Sequence, residues 1–243
     1  MNENELLRKR IKQLPLLMLA SFIGIAAWSL YSKDWHRHRI DVDGVEREYL
    51  FYAPPNPSEE KLPLLLAYHG FSGDAERLRR SSLLHEMVDD HRFHLAYVKG
   101  NPTWLRPAPG RPCADVDYFD QLCDSLVSEY PIDESRIYVA GMSMGGDFVV
   151  RLGGLRSNRI AAVVSQAMIT DEAVESERPF PLMVIVGTKD DRVPAKSLLD
   201  VPAAFREKGH LVELLRPKGV GHRWHVPLNG AIWKFLSEHR IDH

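Results

Sequence analysis

Ile137-Tyr138-Val139-Ala140-Gly141-Met142-Ser143-Met144-Gly145-Gly146 is the stretch that decides the fold. Its first four residues make a short buried strand, and Ser143–Leu155 continues as a helix. Between them lies a Gly-x-Ser-x-Gly turn so tight that the flanking positions tolerate little side chain, hence Gly141 and Gly145. Such a turn lifts the Ser143 hydroxyl clear of a sheet and aims the first N–H groups of the helix at whatever approaches it. Glycine and serine are ordinary loop residues. The strand before and the helix after give the pattern its meaning.

A serine hydroxyl is a weak nucleophile unless a base takes its proton and a carboxylate orients that base. Both lie downstream, in the order serine, acid, histidine. The apolar strand Leu182–Val186 runs into Gly187-Thr188-Lys189-Asp190-Asp191, which puts acids at the carboxyl end of a buried strand, where sites assemble in open α/β sheets. After one further helix and strand comes the glycine loop Gly219-Val220-Gly221-His222-Arg223-Trp224-His225. Spacing alone leaves Asp191 beside Asp190 and His225 beside His222.

Outward from these motifs, Arg39–Val42 and Val45–Tyr52 alternate around the turn pair Asp43-Gly44, a hairpin. Leu62–Tyr68 is a continuous apolar run, the pattern of a strand buried on both faces, and ends in the loop His69-Gly70-Phe71-Ser72-Gly73. A helix is expected over Leu83–His91, a strand over Phe93–Val98 and a long proline-bearing loop with Trp104 over Gly100–Pro112. A helical stripe follows over Val116–Tyr130, then strands Arg136–Ala140 and Ile160–Ser165 flanking the Ser143 helix. Helix Pro194–Lys208, strand Leu211–Arg216 and helix Leu228–His239 close the chain. A hairpin followed by strands alternating with helices predicts an α/β layer fold with a mostly parallel central sheet, an N-terminal antiparallel hairpin and helices on both faces.

The whole chain has 243 residues, with 31 Lys+Arg against 33 Asp+Glu, a net charge of -2 and 44% hydrophobic residues. That balance excludes disordered and collagen-like chains and argues against a nucleic-acid partner, which calls for a basic face. Two cysteines are too few for a disulfide scaffold or a structural zinc site. His36 and His38 alternate on one strand face without a third ligand, and the Arg77–Arg80 cluster reads as a solvated helix face.

The first residues stand apart. Arg8, Lys9, Arg10 and Lys12 precede a run from Leu14 to Leu30 with no charged side chain. This is the layout of an export signal, with Trp28 and Tyr31 placed as interfacial aromatics of a retained anchor. A buried or surface-lying helix is the alternative. Residues 1–35 are therefore expected to be a signal anchor or signal peptide. The protein would then be secreted, or tethered to the membrane and facing the periplasmic or extracellular side. Residues 36–243 form the remaining domain.

Five segments in order resemble the α/β-hydrolase esterases of the polyhydroxybutyrate depolymerase and feruloyl esterase group: Arg47–Pro54, Leu64–Gly70, Asp133–Ser143, Gly187–Asp190 and Gly221–Trp224. The resemblance covers roughly Arg47 to Phe235. It implies the α/β-hydrolase fold without a large lid, Ser143 as nucleophile, Asp190 as acid and His222 as base. The oxyanion donors are then the backbone N–H groups of Met144 and Phe71. Trp104 is expected in the active-site wall or packed onto the domain, and Trp224 beside the substrate. The implied substrate is a small-molecule or oligomeric ester, with no metal or organic cofactor. A serine peptidase on the same fold, or a non-catalytic binding module, is the rival. The resemblance leaves open whether Cys113 bonds Cys123.

Overall fold

The computed structural model describes residues 36–55, 60–168 and 170–242. The expected export segment, residues 1–35, lies outside the described residues. Among those described, no helix is long and apolar enough to cross a membrane.

The hairpin comes first, β1 (His36–Val42) and β2 (Val45–Tyr52), with Asp43 at φ 53° and Gly44 at φ 82° between them. Two consecutive positive φ values give the turn whose twist matches that of antiparallel strands. Then follow β3 (Leu62–Tyr68), α1 (Ala75–Ser82), α2 (Val88–His91), β4 (His94–Val98), α3 (Ala114–Glu129) and β5 (Ile132–Met142). The chain continues through α4 (Met144–Leu155), β6 (Ala162–Gln166), β7 (Leu182–Ile185), α5 (Ser197–Glu207), β8 (Val212–Leu215) and α6 (Asn229–Ser237). All eight strands form one sheet in the order β1-β2-β4-β3-β5-β6-β7-β8. The pairings β1–β2 and β2–β4 are antiparallel and the other five are parallel.

The all-apolar strands are explained by the two faces they serve. In β3, Leu64, Leu66 and Tyr68 enter one core with Phe119, Leu122, Phe148 and Phe205, from α3, α4 and α5. Leu65 and Ala67 point the other way, into a core with Leu78 of α1 and Ile232 and Phe235 of α6. A strand whose alternate residues all meet helices has no solvent face on which to place polar groups.

One expected element is different. The helix expected over Leu83–His91 is a 3-10 turn, Leu84–Met87, followed by the single-turn α2, while the longer helix α1 lies just before it. Asp74 caps α1 by accepting from Arg77 N–H at 2.7 Å, and Leu83 ends it in the left-handed region at φ 55°. Only Ala75 and Leu78 are apolar in Ala-Glu-Arg-Leu-Arg-Arg-Ser-Ser, so the sequence marks a solvated helix face at Arg77–Arg80 but not the bounds of α1. Cys113 and Cys123 are unbonded and both buried, and burial pushes the Cys123 thiol up to about 12.

Candidate active site

Gly141 of β5 pairs with Tyr68 of β3, so both strands deliver their carboxyl ends to one place. There Ser143 turns the chain at φ 54° and ψ −120°, a conformation costing on the order of 1–3 kcal/mol for a residue with a side chain. It is held because Ser143 N–H donates to Gln166 O at 2.8 Å and Ser143 O accepts from Asp147 N–H at 3.1 Å. Both glycines are required by space. A Cβ on Gly141 would lie 2.7 Å from Gly146 N, and one on Gly145 would lie 2.5 Å from His69 O. Helix α4 thus starts jammed against two strand ends. Its first N–H groups, Met144 among them, have no carbonyl one turn back to receive them.

The Ser143 hydroxyl lies 2.8 Å from His222 Nε2. On the far side of the ring, His222 Nδ1 lies 3.1 Å and 3.0 Å from the two carboxylate oxygens of Asp190, whose side chain is 0% exposed. A carboxylate there demands a proton on Nδ1, which leaves Nε2 free to accept from Ser143. The two loops carrying Asp190 and His222 are bound to each other directly. Lys189 N–H donates to Val220 O at 2.9 Å, Thr188 N–H to Pro217 O at 3.0 Å, and Gly219 N–H to the Thr188 hydroxyl at 2.8 Å. Asp191 is exposed, and the His225 carbonyl accepts Leu228 N–H in a 3-10 turn; of the paired alternatives, His222 meets Ser143 and Asp190 meets His222.

The loop after β3 closes the other side. Here His69 acts as a staple: Nδ1–H donates to Gly70 O at 2.8 Å, Nε2 accepts Gly100 N–H at 2.9 Å, and its carbonyl accepts Trp104 Nε1–H at 2.8 Å. Burial lowers its pKa, which keeps the ring in the neutral form those bonds require. Gly70 backs onto Ser143, with a virtual Cβ 3.3 Å from Ser143 Cβ, and Phe71 stands 68% exposed at the cleft. The Thr103 hydroxyl reaches Met144 Sδ, tying the Gly100–Pro112 loop to the start of α4.

Neither tryptophan is a cleft wall. Trp104 is 5% exposed and stacks on Phe148 at 5.2 Å, and Trp224 is 4% exposed with its N–H donated to Asn229 at 2.9 Å. Asn229 in turn donates to Ser82 O at 2.7 Å. Both rings join loops to the core, where an indole finds apolar contact and a partner for its N–H. The cleft itself, about 320 Å³, is lined by His69, Phe71, Leu78, Ser143 and His222 together with Arg77, Ser81 and Arg192. Sequence did not single out the last three as site residues: Arg77 and Ser81 lie on α1, whose basic cluster reads in sequence as a solvated helix face, and Arg192 follows Asp190 in the acid loop. His38 stacks on Tyr49, and among the described residues no group of three or more His, Cys, Asp or Glu side chains is placed to hold a metal.

Sheet order, elbow and loop placement can be compared with solved structures. A crystal structure of a thermostable esterase matches 87% of this chain and 64% of its own at a TM-score of 0.71 and 23% identity. The chain has the α/β-hydrolase fold. No protein-family model matches it. In sequence, this chain is 32% identical over 178 residues to the esterase-named NocK of Nocardia uniformis subsp. tsuyamanensis, covering 68% of the chain and 51% of NocK. It is 28% identical to the bifunctional acetylxylan esterase/xylanase XynS20E of Neocallimastix patriciarum, over 69% of the chain and 25% of that protein. Feruloyl esterase B of Piromyces equi is 28% identical over 56% of the chain and 27% of its own length. The chain thus spans about half or less of the curated relatives it matches. Their names agree with the group its motifs resemble.

Proposed function

We propose that this α/β-hydrolase is a serine esterase that cleaves carboxylic esters through an acyl-enzyme. The observation that carries the proposal is the unbroken hydrogen-bond line Ser143–His222–Asp190, with the carboxylate fully buried at one end and the hydroxyl in the cleft at the other. Ser143 Oγ attacks the ester carbonyl carbon as His222 Nε2 takes its proton. Asp190 stabilises the imidazolium and fixes the ring's orientation. The carbonyl oxygen, now negative, is held by the N–H groups of Met144 and Phe71. His222 returns the proton to the leaving alcohol. Water then repeats the sequence, splitting the acyl–serine bond and releasing the acid.

Hydroxyalkanoate oligomers, feruloyl esters and short acyl esters are the substrate candidates, in keeping with a cleft of about 320 Å³. A fluorophosphonate probe tests the chemistry: it labels the wild type and not Ser143→Ala. Absence of wild-type labelling, or equal labelling of the variant, refutes it. Matched ester and amide substrates separate esterase from peptidase. Export through residues 1–35 is proposed from the sequence alone, and mass spectrometry of the mature N-terminus tests it.

A further inference from the structure

The cleft carries charge of one sign. Its lining includes two guanidinium groups, Arg77 and Arg192, and no carboxylate. They come from different elements, Arg77 from α1 and Arg192 from the loop that carries Asp190. Among the described residues neither guanidinium has an ion pair or a side-chain hydrogen bond, although both are exposed. The contrast with neighbouring arginines is sharp. Arg79 and Arg80, on the same helix, both pair with Glu76, at 2.6 Å and 3.6 Å. The nearby acids are engaged or turned elsewhere. Asp74 accepts Arg77 N–H as the cap of α1, Asp190 is bound to His222, and Asp191 is exposed outside the lining.

A chain with a formal net charge of -2 therefore presents two uncompensated positive charges beside its nucleophile. An apolar surface lies next to them in Phe71, Leu78 and Met142. Guanidinium is the side chain best matched to a planar carboxylate, because its forked N–H groups can engage both oxygens. Resting on the esterase reading above, we propose that the cleft selects esters carrying a free carboxylate close to the scissile bond, recognised by Arg77 and Arg192. Leu78, Phe71 and Met142 then take the short acyl or aryl body that separates the two groups.

The test uses two matched pairs, each an anionic ester and its methyl-capped counterpart. 4-Nitrophenyl hemisuccinate places the carboxylate on the acyl side, and 4-acetoxybenzoate places it on the alcohol side. The expected result is a higher kcat/KM for the anionic member of at least one pair. That preference falls about five-fold in Arg77→Gln or Arg192→Gln, further in the double variant, and returns only in part in Arg77→Lys, which keeps the charge and loses the fork. It also shrinks with added salt as the charges are screened. Both arginines are exposed, so the variants should fold, and circular dichroism checks this. Wild type that hydrolyses all four esters without favouring an anionic member overturns the proposal and leaves the esterase intact. So does a preference that both variants retain. Failure to hydrolyse any ester, with no fluorophosphonate labelling, overturns both.

Discussion

Gly187 offers a way to part the acid loop from the histidine loop without touching either side chain. A methyl group there would lie 2.6 Å from the Val220 carbonyl carbon and 2.8 Å from Val220 Cβ, with the carbonyl oxygen nearer still. Ordinary contact begins at 3.4 Å, so the loops must separate by about 0.8 Å or more at this point. Val220 stands two residues before His222 and Gly187 three before Asp190. The same Val220 carbonyl accepts the Lys189 N–H that joins the loops. Displacement on this scale should therefore stretch the His222–Asp190 contact from its 3.0 Å. Misplacement of a catalytic group by about 1 Å costs about 10²-fold. Gly187→Ala is expected to lower kcat on 4-nitrophenyl acetate, and the rate of fluorophosphonate labelling, by about that factor. Gly219→Ala is the control on the same loop. Gly219 has φ 75° and nothing within 4 Å of a virtual Cβ, so alanine strains its backbone, at about 1 kcal/mol of stability, without pushing on the partner loop. A folded Gly187→Ala with kcat within two-fold of wild type would show that the loops absorb the methyl group elsewhere, and the argument from loop contact would fail.

Three further outcomes follow from the same geometry. Asp190→Asn should cost about 10⁴-fold in kcat by leaving the wrong His222 tautomer, whereas Asp191→Asn should stay within two-fold; equal losses would undo the assignment of the acid. Trp104→Phe removes the N–H donated to His69 O, so urea unfolding should register a loss of about 1–3 kcal/mol, while the preference among acyl chain lengths stays as in wild type. His94 is buried between Phe51 and Tyr130, and desolvation pushes its pKa down to about 4. The folded value lies below the unfolded one near 6.5, so as pH falls from about 6.5 to 4 only the unfolded chain takes the proton. Stability drops by up to about 3 kcal/mol over that window. His94→Phe should flatten this part of the urea-midpoint profile, and parallel profiles would refute the cause.

How far the sequence could be read depends on where each group's partners lie. Leu62–Tyr68 was legible because every one of its side chains is buried, whichever helix covers it, so the local pattern alone carries the answer. The order serine, acid, histidine was legible for a related reason. Parallel strands β5, β7 and β8 all end at the same edge of the sheet, so loops far apart in the chain meet there. Trp104 and Trp224 were not legible, because an indole in a loop looks the same whether it faces a cleft or fills the core. The difference lies in distant carbonyls, that of His69 for Trp104 and, through Asn229, that of Ser82 for Trp224.

The arginines of α1 show the limit most plainly. Arg77, Arg79 and Arg80 form one basic cluster in sequence, yet Glu76 pairs with two of them and the turn of the helix leaves the third over Ser143's cleft. Helical geometry makes this division unavoidable: Glu76 has neighbours at i+3 and i+4 but none at i+1. The proposed bond-breaking residues lie in short motifs at strand ends, where backbone geometry forces particular residues. The proposed selectivity rests on Arg77, from an eight-residue helix with only two apolar residues, and on Arg192 of the acid loop. Substitutions confined to Ala75–Ser82 should therefore change which esters are accepted while fluorophosphonate labelling of Ser143 continues.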